Sequence, residues 1–187
     1  MRRTRLLALL CLLTPMAACT SKSEPAVASP PAAAPSPPKR HGPADDASEQ
    51  ALRVYERYWR ISEEAAAAPR GVDWPGELGK VMADPALSAY VAELENLASV
   101  PAHSRGEYGR SPKVTSVSLA QPPRVVVTDC LDATNEHLVS EKPGEAGRSL
   151  DHPDQPQRYE FEAQLVRYPN PERWLVQQVQ ARLEKSC

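Results

Sequence analysis

The residues in this chain best suited to chemistry are few and scattered. Asp129 and Asp132 stand at the end of an apolar run, Val125-Val126-Val127-Thr128-Asp129-Cys130-Leu131-Asp132. A strand alternates its side chains between two faces, so if Val125 and Val127 point inward, Asp129 shares their face. A carboxylate on an apolar wall is pushed toward its neutral form by desolvation and could serve as a general base. The opposite parity puts Val126, Thr128 and Cys130 inside, leaves Asp129 in solvent and makes Asp132 the start of a turn. The histidines offer less. His103, His137 and His152 have no second His or Cys at metal-ligand spacing, and His41 stands in a proline-rich stretch. Asp151, His152 and Asp154 could hold a cation, but a solvated acidic loop is the simpler reading and no metal site is expected. The aromatic set Tyr55, Tyr58, Trp59 and Tyr90 could line a pocket mouth between helices and sheet, or simply fill the core. A glycine-rich phosphate loop, a nucleophile elbow and a His-Glu-x-x-His helix are all missing from the sequence, and no cofactor is expected.

The elements that must position these residues can be read from periodicity. Asp46 with Glu49 makes a capping box ahead of a long helical pattern. Leu52, Tyr55 and Trp59 form one stripe of it and Val54, Tyr58 and Ile61 another, so both carry the aromatic set. Ala65 to Ala68 extends the helix to Pro69, which should end it. Arg70 to Gly79 reads as a connector, with a helical turn over Leu78 to Ala83. Asp84-Pro85 gives a cap and a proline start for a second helix through Leu87, Tyr90, Val91, Leu94 and Leu97, running to about Ala98. Val100 to Pro112 is loop, with at most a short strand over Glu107 to Arg110.

After Pro112 the period changes to two. Strands are expected over Val114 to Leu119, Arg124 to Leu131, Glu136 to Ser140, Tyr159 to Tyr168 and Arg173 to Leu183. Tyr159, Phe161, Ala163 and Leu165 should share one face. Glu141 to Pro156, rich in Gly, Pro and charge, should be an exposed loop, and Pro169-Asn170-Pro171-Glu172 a turn. Helices followed by a run of antiparallel strands is an α+β order.

The first 18 residues are of another kind. Arg2, Arg3 and Arg5 precede an apolar run, Leu6 to Leu13, too short to span a bilayer, and Met16-Ala17-Ala18-Cys19 follows. This stretch resembles a bacterial lipoprotein signal, with Met16 where leucine is usual. The resemblance implies cleavage before Cys19 and a lipid, palmitate among its chains, on the Cys19 sulfur. An ordinary secretory signal with an incidental cysteine is the alternative. Thr20 to Asp45 reads as a tether: seven prolines fall between Pro25 and Pro43, with almost nothing large and apolar to bury. Loss of the three arginines takes the net charge from −2 to −5, and from Asp46 onward 16 Lys and Arg face 22 Asp and Glu. That balance argues against nucleic acid and against anionic headgroups as partners. Attachment to the bilayer should come from the acylated Cys19 alone.

With Cys11 in the signal and Cys19 lipidated, Cys130 and Cys187 remain. In an oxidising compartment such a pair is most simply a disulfide, two free buried thiols being the alternative. A loop of about 58 residues would be worth roughly 4 kcal/mol by chain entropy. Its cysteines have no Cys-x-x-Cys spacing and no evident cationic neighbour, so the bridge would be structural rather than redox-active.

Pro112 to Leu119, Asp129-Cys130-Leu131-Asp132, Arg173-Trp174-Leu175-Val176 and the end position of Cys187 together resemble a further group. These are small lipoproteins and secreted proteins of high-GC Gram-positive bacteria with a nuclear transport factor 2-like, cystatin-like cone fold. The match covers about Ala47 to Cys187. It implies helices packed on a curved antiparallel sheet, and a Cys-Leu-Asp cysteine, here Cys130, bridged to Cys187. If that bridge lies on the buried face, Asp129 faces solvent, and this is the expected parity. The organisation expected is thus a signal peptide (1–18), a lipidated tether (19–45) and one cone-like domain (46–187). The whole would be a non-catalytic binding or accessory module on the extracytoplasmic face of the membrane, serving an envelope protein or an apolar ligand. The alternative is a small isomerase- or cyclase-like enzyme with Asp129 as its base.

Overall fold

The computed structural model describes residues 41–187. The expected signal peptide, Cys19 and the tether through residue 40 lie outside the described residues. The first helix, α1 (Pro43–Ala67), starts three residues before the expected cap at Asp46. The reason is local: Asp45 accepts the Gly42 backbone N–H at 2.9 Å, and Pro43 presets the first turn. Ala47, Ala51, Tyr55, Tyr58, Trp59, Ser62 and Ala65 recur at three- and four-residue steps and form its buried face. A short helix α2 (Trp74–Leu78) occupies the region expected to be a connector, capped by Asp73, whose side chain accepts from the Gly76 N–H. The third helix, α3, covers Ala86–Ser99. It starts after Pro85 rather than on it, while the Asp84 carboxylate still accepts the Ser88 N–H at 3.2 Å.

Six strands follow: β1 (Ala102–Arg105), β2 (Lys113–Ser118), β3 (Arg124–Asp132), β4 (His137–Ser140), β5 (Arg158–Pro169) and β6 (Glu172–Arg182). The main sheet is antiparallel with order β2-β3-β5-β6, and β1 pairs with β4 in a separate two-stranded ribbon. The chain is therefore α+β, with helices packed against antiparallel sheets. The short strand expected over Glu107 to Arg110 instead lies at Ala102–Arg105, where its edge meets β4 from residue 140 down to 137.

The inner face of the main sheet is written in register. Val125 opposes Leu165, Val127 opposes Ala163, Asp129 opposes Phe161 and Leu131 opposes Tyr159. All but the aspartate are apolar or aromatic, and the whole set is buried. The long face of α1 covers them, with Tyr55, Tyr58 and Trp59 lying between helix and sheet. Register shifts at Val114/Ser116 and at Gln164/Leu165 bend two of the strands. Arg70, just past α1, donates to the Ala98 carbonyl at 3.0 Å and pairs with Glu141 at 2.8 Å, also donating to the Val100 carbonyl. It thereby satisfies the open C-terminus of α3 and ties it to the loop after β4. Among the described residues no helix is long and apolar enough to cross a membrane.

Candidate functional site

Asp129 is the first test of the sequence reading, and its expected exposure is corrected. The carboxylate is 2% exposed and lies on the inner face with Val125, Val127 and Leu131. Cys130 is half-buried on the outer face, where it is bonded to Cys187 with Cα atoms 5.7 Å apart. The expectation assumed that a bridge must be buried. A covalent link needs no apolar surroundings, whereas Leu131, Val125 and Val127 do gain by burial, and they set the parity. Cys187 is exposed and lies five residues beyond the end of β6, so the bridge joins a central strand to a tail.

Burial does not make Asp129 a free base. Tyr55 Oη donates to its Oδ2 at 2.9 Å, and the Ser111 backbone N–H donates to its Oδ1. Desolvation first, then the Asp129 charge, pushes the Tyr55 hydroxyl well above its usual range, so it remains a proton donor. The pair is a closed brace between α1, the segment before β2, and β3. Asp132 is a turn residue: it accepts from the Thr134 N–H and hydroxyl, and these bonds hold its carboxyl below the usual range.

The open space lies elsewhere. A cavity of about 440 Å³ sits between α1, α3, the β1 ribbon and the inner face of β5 and β6. Tyr58, Trp59 and Tyr90 of the expected aromatic set line it, and Tyr55 does not. Tyr108, Tyr159 and Phe161 complete an aromatic wall. The Trp59 ring centre is 5.4 Å from Tyr58, 5.3 Å from Tyr108 and 5.0 Å from Phe161. These distances suit tilted and edge-to-face packing. Gly106 borders the cavity at φ +102°, and a Cβ there would meet the Asn135 carbonyl oxygen at 1.8 Å. Only glycine lets the chain leave β1 so close to the start of β4.

Three carboxylates line the same cavity: Glu63 from α1, Glu93 from α3 and Glu136 before β4. No Lys, Arg or His stands among its described lining residues. Burial raises the Glu63 carboxyl above its usual range. Arg110 at 3.8 Å and the Tyr108 N–H at 3.3 Å pull it partly back. The tyrosine hydroxyls are all held in the protonated form, chiefly by burial, with Tyr90 pushed up to about 12. Tyr90 Oη donates to the Ser62 carbonyl at 2.8 Å. The Ser62 hydroxyl itself, on the cavity wall, lies beside the Tyr58 and Tyr90 hydroxyls without a well-formed bond of its own, and the Trp59 indole N–H lies beside the Tyr55 hydroxyl.

The sequence reading missed Glu63, Glu93, Glu136, Tyr108, Tyr159 and Phe161 as site residues. A signal for two of them was present. Glu63 follows Trp59 by four residues and Glu93 follows Tyr90 by three, spacings that set a carboxylate beside an aromatic on one helix face. The acidic loop resolves otherwise than as a cation site. Asp151 turns to His137 at 2.7 Å, to the Ser149 hydroxyl and to the Leu138 N–H, while His152 and Asp154 lie 3.9 Å apart and exposed. Among the described residues no group of three or more His, Cys, Asp or Glu is placed to hold a metal.

No protein-family model matches the chain, and no curated protein matches it. Among solved structures, the crystal structure of the intermembrane space region of the chloroplast protein ARC6 is similar to it. The superposition has a TM-score of 0.49 at 15% identity and covers 72% of this chain and 95% of that one.

Proposed function

We propose that this protein is a lipid-anchored module of the extracytoplasmic membrane face. Its nuclear transport factor 2-like domain would bind a small ligand rather than transform one. Anchoring rests on the basic start, the short apolar run and Ala17-Ala18-Cys19. Ligand binding rests on one observation above all: an aromatic-walled cavity of about 440 Å³ with three carboxylates and the Ser62 hydroxyl on its lining. A cavity of that size suits a small molecule better than a peptide or protein segment. The bridge from β3 to the tail fits an oxidising compartment.

The isomerase- or cyclase-like alternative draws support from the burial of Asp129. Against it, both Asp129 oxygens are engaged by Tyr55 and Ser111, and Asp129 is not among the residues lining the cavity. A general base must reach the proton it removes.

The test uses the full chain in a Gram-positive host. The wild type should fractionate with membranes, and Cys19→Ala should be released or remain an uncleaved precursor. A mature-sized Cys19→Ala band still held in the membrane would defeat the anchoring claim. For the cavity, indole titrated into the purified full chain should bind saturably, and Ala66→Trp, on the cavity wall, should abolish binding. Absence of any saturable indole binding by the wild type would remove the cavity as a binding site.

A further inference from the structure

The same cavity has a charge character that narrows its ligand, on the premise that it is the binding site. Its wall combines six aromatic rings with Glu63, Glu93 and Glu136, and its described lining holds no cationic side chain to neutralise them. Aromatic faces carry negative potential, and carboxylates add to it in a partly enclosed space where screening by water is weak. Glu63 has a cation of its own at 3.8 Å, Arg110, but Arg110 is not among the lining residues. That guanidinium also lies over the Trp59 ring, 5.7 Å from its centre. Trp59 therefore already supports one cation–π contact in this fold. Glu93 is exposed and stands at the rim, while Glu136 is half-buried, so the carboxylates run from the entrance to the interior.

The second observation concerns hydrogen bonding. Ser62 is 3% exposed, and its hydroxyl, beside those of Tyr58 and Tyr90, has no well-formed hydrogen bond of its own. It can donate to an oxygen, and a buried donor left without a partner is costly. A wholly apolar occupant would leave it so.

We propose that the cavity binds a small organic cation, an alkylated ammonium group bearing a neutral oxygen. The ammonium sits against Trp59 and its neighbouring rings within reach of Glu63 and Glu136, and the oxygen accepts from Ser62. Anionic ligands are excluded by the three carboxylates.

Choline and 3,3-dimethylbutan-1-ol test this directly. They have the same shape and the same hydroxyl, and differ only in a quaternary nitrogen against a quaternary carbon. Isothermal titration of the full chain, purified in a maltoside detergent, should show choline binding at least about tenfold tighter than the alcohol. Glu136→Gln should weaken choline severalfold and leave the alcohol unchanged. Equal binding of the two, or tighter binding of the alcohol, overturns the cation assignment. So does failure of both while indole still binds, and in either case the binding-module reading stands. Failure of indole as well overturns that reading together with this one.

Discussion

The molecule places carboxylates against tyrosines in two regions, and the two are built on opposite terms. At Asp129 the acid is buried, both oxygens are engaged by Tyr55 and the Ser111 N–H, and the carboxylate does not line the aromatic cavity. Around Trp59 the acids are only partly enclosed, and a cavity opens beside them. A buried carboxylate in a central strand is the more conspicuous feature in a sequence. It is the less available one in the fold. What marks a site is polar capacity facing open space, and the engaged oxygens of Asp129 do not line the cavity.

The comparison breaks if Asp129 does chemistry or binding, so its removal is the strongest test. Asp129→Ala leaves the buried Tyr55 hydroxyl without its acceptor and frees the part-buried Ser111 N–H, at a combined cost of about 2 kcal/mol. Urea denaturation should show that loss, while indole affinity of the fraction that remains folded should be unchanged. A variant as stable as the wild type but unable to bind indole would reverse the two regions' roles.

Gly106→Ala sharpens the comparison from the cavity side. Its Cβ would run into the Asn135 carbonyl at 1.8 Å with φ at +102°, so the chain between β1 and β4 must shift. The expected loss is about 2 kcal/mol, and because Gly106, Tyr108 and Glu136 all line the cavity, indole binding should weaken as well. Asp129→Ala should affect stability alone, and Gly106→Ala both stability and binding. Equal effects of the two variants on binding would erase the distinction.

How far this was legible in the sequence follows from which contacts are local. The strands β3, β5 and β6 could be read because each is long enough to show alternation, and the aromatic stripes of α1 and α3 because each is periodic. Strand β1 could not: Ala102-His103-Ser104-Arg105 has one apolar residue, and its partner β4 lies more than 30 residues on. The parity of Asp129 was undecidable for the same reason. Its partners are Tyr55, 74 residues away, and a backbone N–H, 18 residues away, whose availability no side-chain pattern reports. Three of the cavity's six aromatics were legible as helix-face residues. Tyr159 and Phe161 read as ordinary core on a strand, and Tyr108 lies in an irregular segment where no period exists to place it.

The smallest effect, and the finest test of the contrast, is the titration of Glu63. Burial raises its carboxyl, Glu107 and Glu136 add to the rise, and Arg110 and the Tyr108 N–H oppose it without cancelling it. The folded chain therefore takes up the Glu63 proton at a higher pH than the unfolded chain does. The stability that goes with the protonated form is fully present below the ordinary carboxylate range, and is lost as pH rises through the raised value. Glu63→Gln keeps the shape and an oxygen for the Tyr108 N–H but cannot titrate. Measured by urea denaturation between about pH 7 and about pH 4, the wild type should gain stability relative to Glu63→Gln as the pH falls. A carboxylate held as an ion by its partners would give the opposite slope, with the wild type losing ground on acidification. That outcome would make Glu63 a second closed brace, and the cavity would lose one of its three acids as a ligand contact.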